Sequence, residues 1–138
     1  MRILGLDVGS KTIGVACSDA LLITAQGLET IHRTTQKKDF QRLLDIVREK
    51  EVHRVVVGMP RHMNGDRSIN IDKIEQMVDE LRKVMPEMDF VYWDERLTTV
   101  MAERELIAAN VRRNKRKQVI DKMAAVFILQ NYLDAQGG

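Results

Sequence analysis

The stretch Ile3-Leu4-Gly5-Leu6-Asp7-Val8-Gly9-Ser10-Lys11-Thr12-Ile13-Gly14-Val15-Ala16-Cys17 holds two β-rich runs separated by a polar, glycine-bearing turn. Ile3 to Leu6 is a short apolar run that ends at Asp7, and Thr12 to Cys17 resumes the same chemistry, so the segment predicts a β-hairpin. Leu28 to Ile31, after the loop containing Gly27, predicts a third strand with a weaker pattern. From there the period changes. Phe40, Leu43, Leu44 and Val47 recur at helical spacing with Lys37, Lys38, Arg42 and Arg48 between them, which describes an amphipathic helix with one wet face. Val55 to Val57 is continuously β-branched and stops at Gly58-Met59-Pro60, as in a central strand buried on both sides. Ile71, Ile74, Val78, Leu81 and Met85 predict a second helix, ended by Pro86, and Phe90 to Trp93 a fifth strand. Thr98 or Thr99 can cap a helix running to about Asn110. A basic stretch follows, and a last helix spans about Lys117 to Ala135.

Three strands in meander followed by right-handed βαβ crossovers define an α/β fold, a five-stranded mixed sheet flanked by helices. Placing the first strand between the hairpin and the later parallel strands puts Asp7 at a central strand's carboxyl end. Ligands bind there in open α/β sheets.

The 138 residues suit one domain spanning 1–138, because two halves would each bury a marginal core. With 44% hydrophobic residues beside 30% charged ones, wholesale disorder is excluded. The longest apolar run, Met123 to Leu129, is seven residues, far short of the ~20 that cross a bilayer. Asp7 falls where a signal peptide would keep its apolar stretch, and the lone Cys17 permits neither an intramolecular disulfide nor a zinc cluster. A cytoplasmic location is expected. The balance of 22 Lys and Arg against 20 Asp and Glu, net +2, conceals local segregation of charge.

Three acidic segments carry candidate chemistry. Asp7 leaves a strand into a turn with two nearby glycines and Lys11, where a phosphate can approach the backbone while the carboxylate holds a cation against it. A hairpin with an Asx turn explains the same residue. Asp94-Glu95-Arg96 follows the fifth strand ahead of a helix start, which suits a metal and a phosphate but also suits ordinary N-terminal helix charge. Asp121 opens a helix whose next residues, Met123 to Leu129, are apolar on every side, so its carboxylate needs a metal or a partner such as Lys117 or Lys122. Acids on separate elements, with no Cys/His cluster, point to a hard cation with oxygen ligands, Mg²⁺ or Mn²⁺. Two such ions ~4 Å apart are a signature of phosphodiester hydrolysis.

Arg112, Arg113, Lys115, Arg116 and Lys117 form a basic run just before Asp121, placed to hold a polyanion over that site. No aromatics interleave, so recognition through phosphate and shape is expected. His62 follows a central strand and could assist proton transfer. His32 and His53 read as surface residues, Cys17 as a small buried hydrophobe and most methionines as core.

Taken in order, Gly5-Leu6-Asp7-Val8-Gly9-Ser10-Lys11, Val56-Val57-Gly58-Met59-Pro60, Asp94-Glu95-Arg96-Leu97-Thr98-Thr99, and Lys115-Arg116-Lys117 with Asp121-Lys122-Met123-Ala124-Ala125 resemble the motifs of the bacterial YqgF/RuvX family. These are pre-16S rRNA nucleases related to Holliday-junction resolvases. The resemblance covers nearly the whole chain and implies an RNase H-like fold. It implies Asp7, Glu95 and Asp121 as catalytic, metal-binding acids, and cytoplasmic trimming of the 5′ end of precursor 16S rRNA. The fourth strand here lacks the terminal carboxylate typical of related resolvases. Glu95, with Asp94 as backup, must substitute from the neighbouring strand.

The leading expectation is therefore a Mg²⁺- or Mn²⁺-dependent nuclease in which Lys11, Arg96 and the 112–117 run position the nucleic-acid backbone. Branched DNA is the alternative substrate. A second reading is a non-catalytic RNA-binding factor docked on the ribosomal subunit, and a third an ATPase phosphate loop at Asp7 to Lys11. The third suffers because such ATPases close two domains of this kind around the nucleotide.

Overall fold

A computed structural model describes residues 1–60, 69–94, 108 and 113–137, with the backbone alone described for 69, 70 and 113–122. The elements are β1 (Arg2–Val8), β2 (Thr12–Ser18), β3 (Ala25–His32), α1 (Gln36–Glu49), β4 (Val52–Met59), α2 (Ile69–Val84), β5 (Asp89–Asp94) and α3 (Arg113–Gly137). They form a five-stranded mixed sheet in the order β3-β2-β1-β4-β5. β1 runs antiparallel to β2, with Asp7 opposite Gly14, and parallel to β4, with Leu6 opposite Val57. The meander and crossovers are those expected, and β1 occupies the centre.

Alternation along the strands sorts the core into two layers. Leu4, Leu6, Ile13, Val15, Val55 and Val57 point toward α1 and α2, where Phe40, Leu43, Ile46, Ile74, Val78 and Leu81 cover them. Burying each such side chain contributes about 1.5–3 kcal/mol before entropy is set against it. Ile3, Ala16 and Val56 face the other way, onto Ala125, Ile128, Leu129, Tyr132 and Leu133 of α3. Thr35 caps α1 by accepting a 3.2 Å hydrogen bond from the Lys38 amide.

Glycines set the depth at which α3 lies. A Cβ at Gly5 would stand 2.7 Å from Leu129 Cβ and 3.1 Å from the Ala125 carbonyl oxygen, and one at Gly58 would stand 2.5 Å from Ile128 Cδ1. No larger residue fits at Gly5 without moving the helix. Polar contacts fix α3 laterally. Gln130 Oε1 accepts from the Ala25 amide at 2.8 Å, and Trp93 Nε1 donates to Asn131 Oδ1 at 2.7 Å. Trp93 also packs edge-on against Tyr132, with ring centroids 5.3 Å apart.

Two expectations are corrected. β3 extends over eight residues because its backbone pairs along the whole of β2, including a register shift between Val15 and Ala16. The last helix begins at Arg113, so Arg113 to Lys117 lie within α3 instead of preceding it. Arg, Lys and Gln are good helix formers, and a dense charge run does not by itself make a loop. α3 is also interrupted at Met123 (φ −111°, ψ 16°), a residue 40% exposed. The apolar stretch is thus buried at Ala125, Ile128 and Leu129, with Val126 and Phe127 half-buried, and not on every side. The helix expected from Thr98 to Asn110 lies outside the described residues, apart from Ala108.

Candidate active site

Asp7 sits near the carboxyl end of β1, opposite Gly14. Its turn is fixed from three directions. Gly9 donates its amide to the Thr12 carbonyl at 2.8 Å, Arg33 donates its own amide to the Lys11 carbonyl at 2.9 Å, and Arg33 Nη1 donates to the Gly9 carbonyl at 2.7 Å. Arg33 Nε also lies 4.0 Å from the buried Asp39 carboxylate, which accepts the Thr34 amide at 3.2 Å. This brace joins the turn after Asp7 to the first turn of α1. Nothing local in the sequence signals it, since Arg33 is 24 positions from Gly9.

The strand alternation places Asp7 on the same face as Ile3 and Gly5, beneath α3. α3 runs opposite in direction to β1. Ala125 lies over Gly14, Leu129 over Gly5, and Tyr132 reaches Arg54 near the start of β4, where its hydroxyl accepts from Arg54 Nη1 at 2.9 Å. The amino-terminal part of α3, which carries Arg113, Lys115, Arg116, Lys117 and Asp121, therefore approaches the Asp7 end of the sheet. Asp121 lies four residues before Ala125, on the other side of the break at Met123.

β5 is parallel to β4, so its carboxyl end also lies at this edge of the sheet. Asp94 pairs with Met59 and shares the alternation of Phe90 and Tyr92, which pack with the α1/α2 core. Asp94 thus belongs to the face opposite Asp7. Glu95, Arg96 and Arg112 lie outside the described residues, as does His62. Lys11 is exposed in the turn beside Asp7. Among the described residues, no cluster of three or more His, Cys, Asp or Glu side chains is placed to hold a metal. Asp7 supplies a carboxylate at the carboxyl end of β1, an oxygen donor of the kind Mg²⁺ or Mn²⁺ takes.

A groove of about 1080 Å³ opens from Asp7 and Gly9 and runs between α1 and α2. Sequence reading missed it, because its walls come from residues on β1, α1 and α2 that are far apart in the chain. His32 is exposed as expected, whereas His53 Nδ1 is buried without a hydrogen-bond partner. Cys17 is buried, and desolvation raises its thiol pKa above the ordinary value. Among the described residues no helix is long and apolar enough to cross a membrane.

The sheet order and the covering helices are those of the RNase H-like fold that the RuvC-like resolvases share. Over its full length the structure superposes on Thermus thermophilus RuvC in complex with a Holliday junction substrate, covering 96% of that chain with a TM-score of 0.63 at 14% identity. It also matches the yeast mitochondrial Holliday junction resolvase, covering 98% of this chain and 78% of that one, with a TM-score of 0.56 at 15% identity. Within this class, the RuvX family model, described as Holliday junction resolvase, matches residues 1–135, and the chain belongs to that family. Similar relatives named "Putative pre-16S rRNA nuclease" include one from Halalkalibacterium halodurans, 54% identical over 99% of this chain and 98% of its own. Another, from Thermoanaerobacter pseudethanolicus, is 53% identical over the same shares.

Proposed function

We propose that this chain is a metal-dependent nuclease that processes the 5′ end of pre-16S rRNA in the cytoplasm, with residues 1–138 acting as one domain. The observation that supports this is that Asp7 ends β1 beside Ala125 of α3, with Asp121 four residues earlier in the same helix. The names of relatives that match nearly end to end supply the substrate class.

In this reading Asp7, Glu95 and Asp121 hold Mg²⁺ or Mn²⁺. Glu95 is preferred to Asp94 because Asp94 lies on the other face of the sheet. A cation at such a site supplies an activated water and charge stabilisation for the leaving oxygen. The protein's own residues orient the substrate. Lys11 and Arg96 engage the phosphates beside the acids, and Arg112, Arg113, Lys115, Arg116 and Lys117 hold the neighbouring backbone. Arg33 keeps the turn after Asp7 in place through the Gly9 carbonyl.

Cleavage of a pre-16S leader transcript with Mg²⁺ tests the proposal. Asp7→Asn with wild-type activity would overturn the assignment. The family description and the fold of the resolvases favour branched DNA as the second reading. A four-way junction in the same assay separates the two.

A further inference from the structure

We propose that the groove between α1 and α2 seats an unpaired nucleotide flanking the cleaved phosphate, a reading that rests on the nuclease function above. The groove starts at Asp7 and extends along Gln36 on one wall and Lys73 and Gln76 on the other. Lys73, Gln76 and Glu80 are three and four positions apart and so present one helical face to it. Asp7 ends β1 on the α3 side and the groove lies on the α1/α2 side, so a chain whose phosphate lies at Asp7 reaches this space by passing round the strand end at Gly9 and Ser10.

The chemistry favours a base over a run of phosphates. A backbone track needs a rim of cations, but the lining sets Asp7, Asp39 and Glu80 against only Arg33 and Lys73, and Arg33 is already engaged with the Gly9 carbonyl and Asp39. The neutral polar groups, the Gln36 and Gln76 amides and the Ser10 and Thr34 hydroxyls, each donate and accept hydrogen bonds. That mixture matches a nucleobase edge, which is accessible only when the base is unpaired. Phe40 is buried, so it offers no stacking face, and Ile74 and Met77 contribute an apolar floor. The volume lies just above the range of small-molecule sites, roughly 300–1,000 Å³, and so has room for a nucleotide. Lys73 is left to contact one adjoining phosphate.

The test uses the full chain carrying Asp7→Asn, in chelator, with fluorescence anisotropy on a short mixed-sequence single-stranded RNA and on the matching RNA duplex. Gln36 and Gln76 are exposed, so Gln36→Ala with Gln76→Ala should leave the melting temperature unchanged. The double substitution is expected to weaken single-strand binding about tenfold and duplex binding by less than about twofold. Gln76→Glu, which adds a negative charge to the groove, should act in the same direction. Unchanged single-strand affinity, no single-strand binding by the parent, or equal loss for duplex and single strand each overturns the proposal. Cleavage of a leader transcript with Asp7 intact is read separately. An intact chain that does not cleave with Mg²⁺ defeats the nuclease reading, whereas unaltered RNA binding by the groove variants defeats the groove alone.

Discussion

Asp7 and Ala125 meet across Gly14: a Cβ built on that glycine would stand 3.6 Å from the Cβ of each. A strand-end carboxylate and a helix are thereby held in one contact, with only a hydrogen atom on the residue between them. Asp121 lies four positions before Ala125, about 6 Å of helix, with the break at Met123 between them. Any change in the depth of α3 is transmitted to the separation of the proposed metal-binding acids.

Asp7→Asn is expected to keep the fold and to lower Mg²⁺-dependent cleavage on the order of a thousandfold, since a neutral amide is a poor ligand for a hard cation. Chelation of the wild-type protein should abolish cleavage reversibly. Single-turnover cleavage with circular dichroism of each sample measures both.

Gly5→Ala should destabilise by about 1–3 kcal/mol, because the obstacle to its Cβ is Leu129 Cβ and helix backbone. It should also raise the Mg²⁺ concentration for half-maximal cleavage. Gly58→Ala meets the far end of Ile128, which can change rotamer, so its cost should be the smaller. Urea denaturation of the two variants side by side decides the order.

Trp93→Phe keeps an aromatic ring near Tyr132 but removes the hydrogen bond to Asn131. A loss of about 1–2 kcal/mol is expected from equilibrium unfolding. Because Trp93 immediately precedes Asp94 and Glu95, weaker Mg²⁺ activation should accompany it.

Stability should decline at both ends of the pH range. Burial holds the Cys17 thiol above its ordinary value of 9.0, against the weaker pull of Arg2 and Lys50. The unfolded thiol ionises first, so this contribution is complete below about pH 9 and is lost as pH rises through the higher folded value. Glu29 behaves oppositely. The Arg42 hydrogen bond lowers its pKa from 4.5, so its contribution is present above that value and lost as pH falls through the lowered one. Denaturation against pH should show the alkaline loss reduced in Cys17→Ala and the acid loss reduced in Glu29→Gln.

RNA affinity should fall steeply with salt. Replacing Arg112, Arg113, Lys115, Arg116 and Lys117 by Gln should flatten the slope of log affinity against log salt by roughly 3.5, at about 0.7 per phosphate contact on a single strand. A slope unchanged by the five substitutions would place the RNA elsewhere.

Local pattern made much of the fold legible. The β-branched run at Val55 to Val57, the helical spacing of Phe40 to Val47 and the turn at Val8 to Lys11 each reflect interactions within a few residues, and the strands and helices they predict are present. Charge density misled at Arg113 to Lys117, because helix formation depends on backbone and neighbours more than on charge. The candidate site was legible only in part. Asp7 announced itself as an acid ending an apolar strand, whereas Glu95, with Asp94 as backup, came from the resemblance, and strand alternation puts Asp94 on the far face.

The sequence by itself determined the element order, the central place of β1 and the acidic strand end, because short-range periodicity and turn chemistry encode them. Tertiary structure alone decided the depth and direction of α3 over Gly5, Gly14 and Gly58, the Arg33 brace on the Gly9 carbonyl, and the groove between α1 and α2. Those features join residues far apart in the chain. Their geometry comes from packing, which no local window of sequence contains.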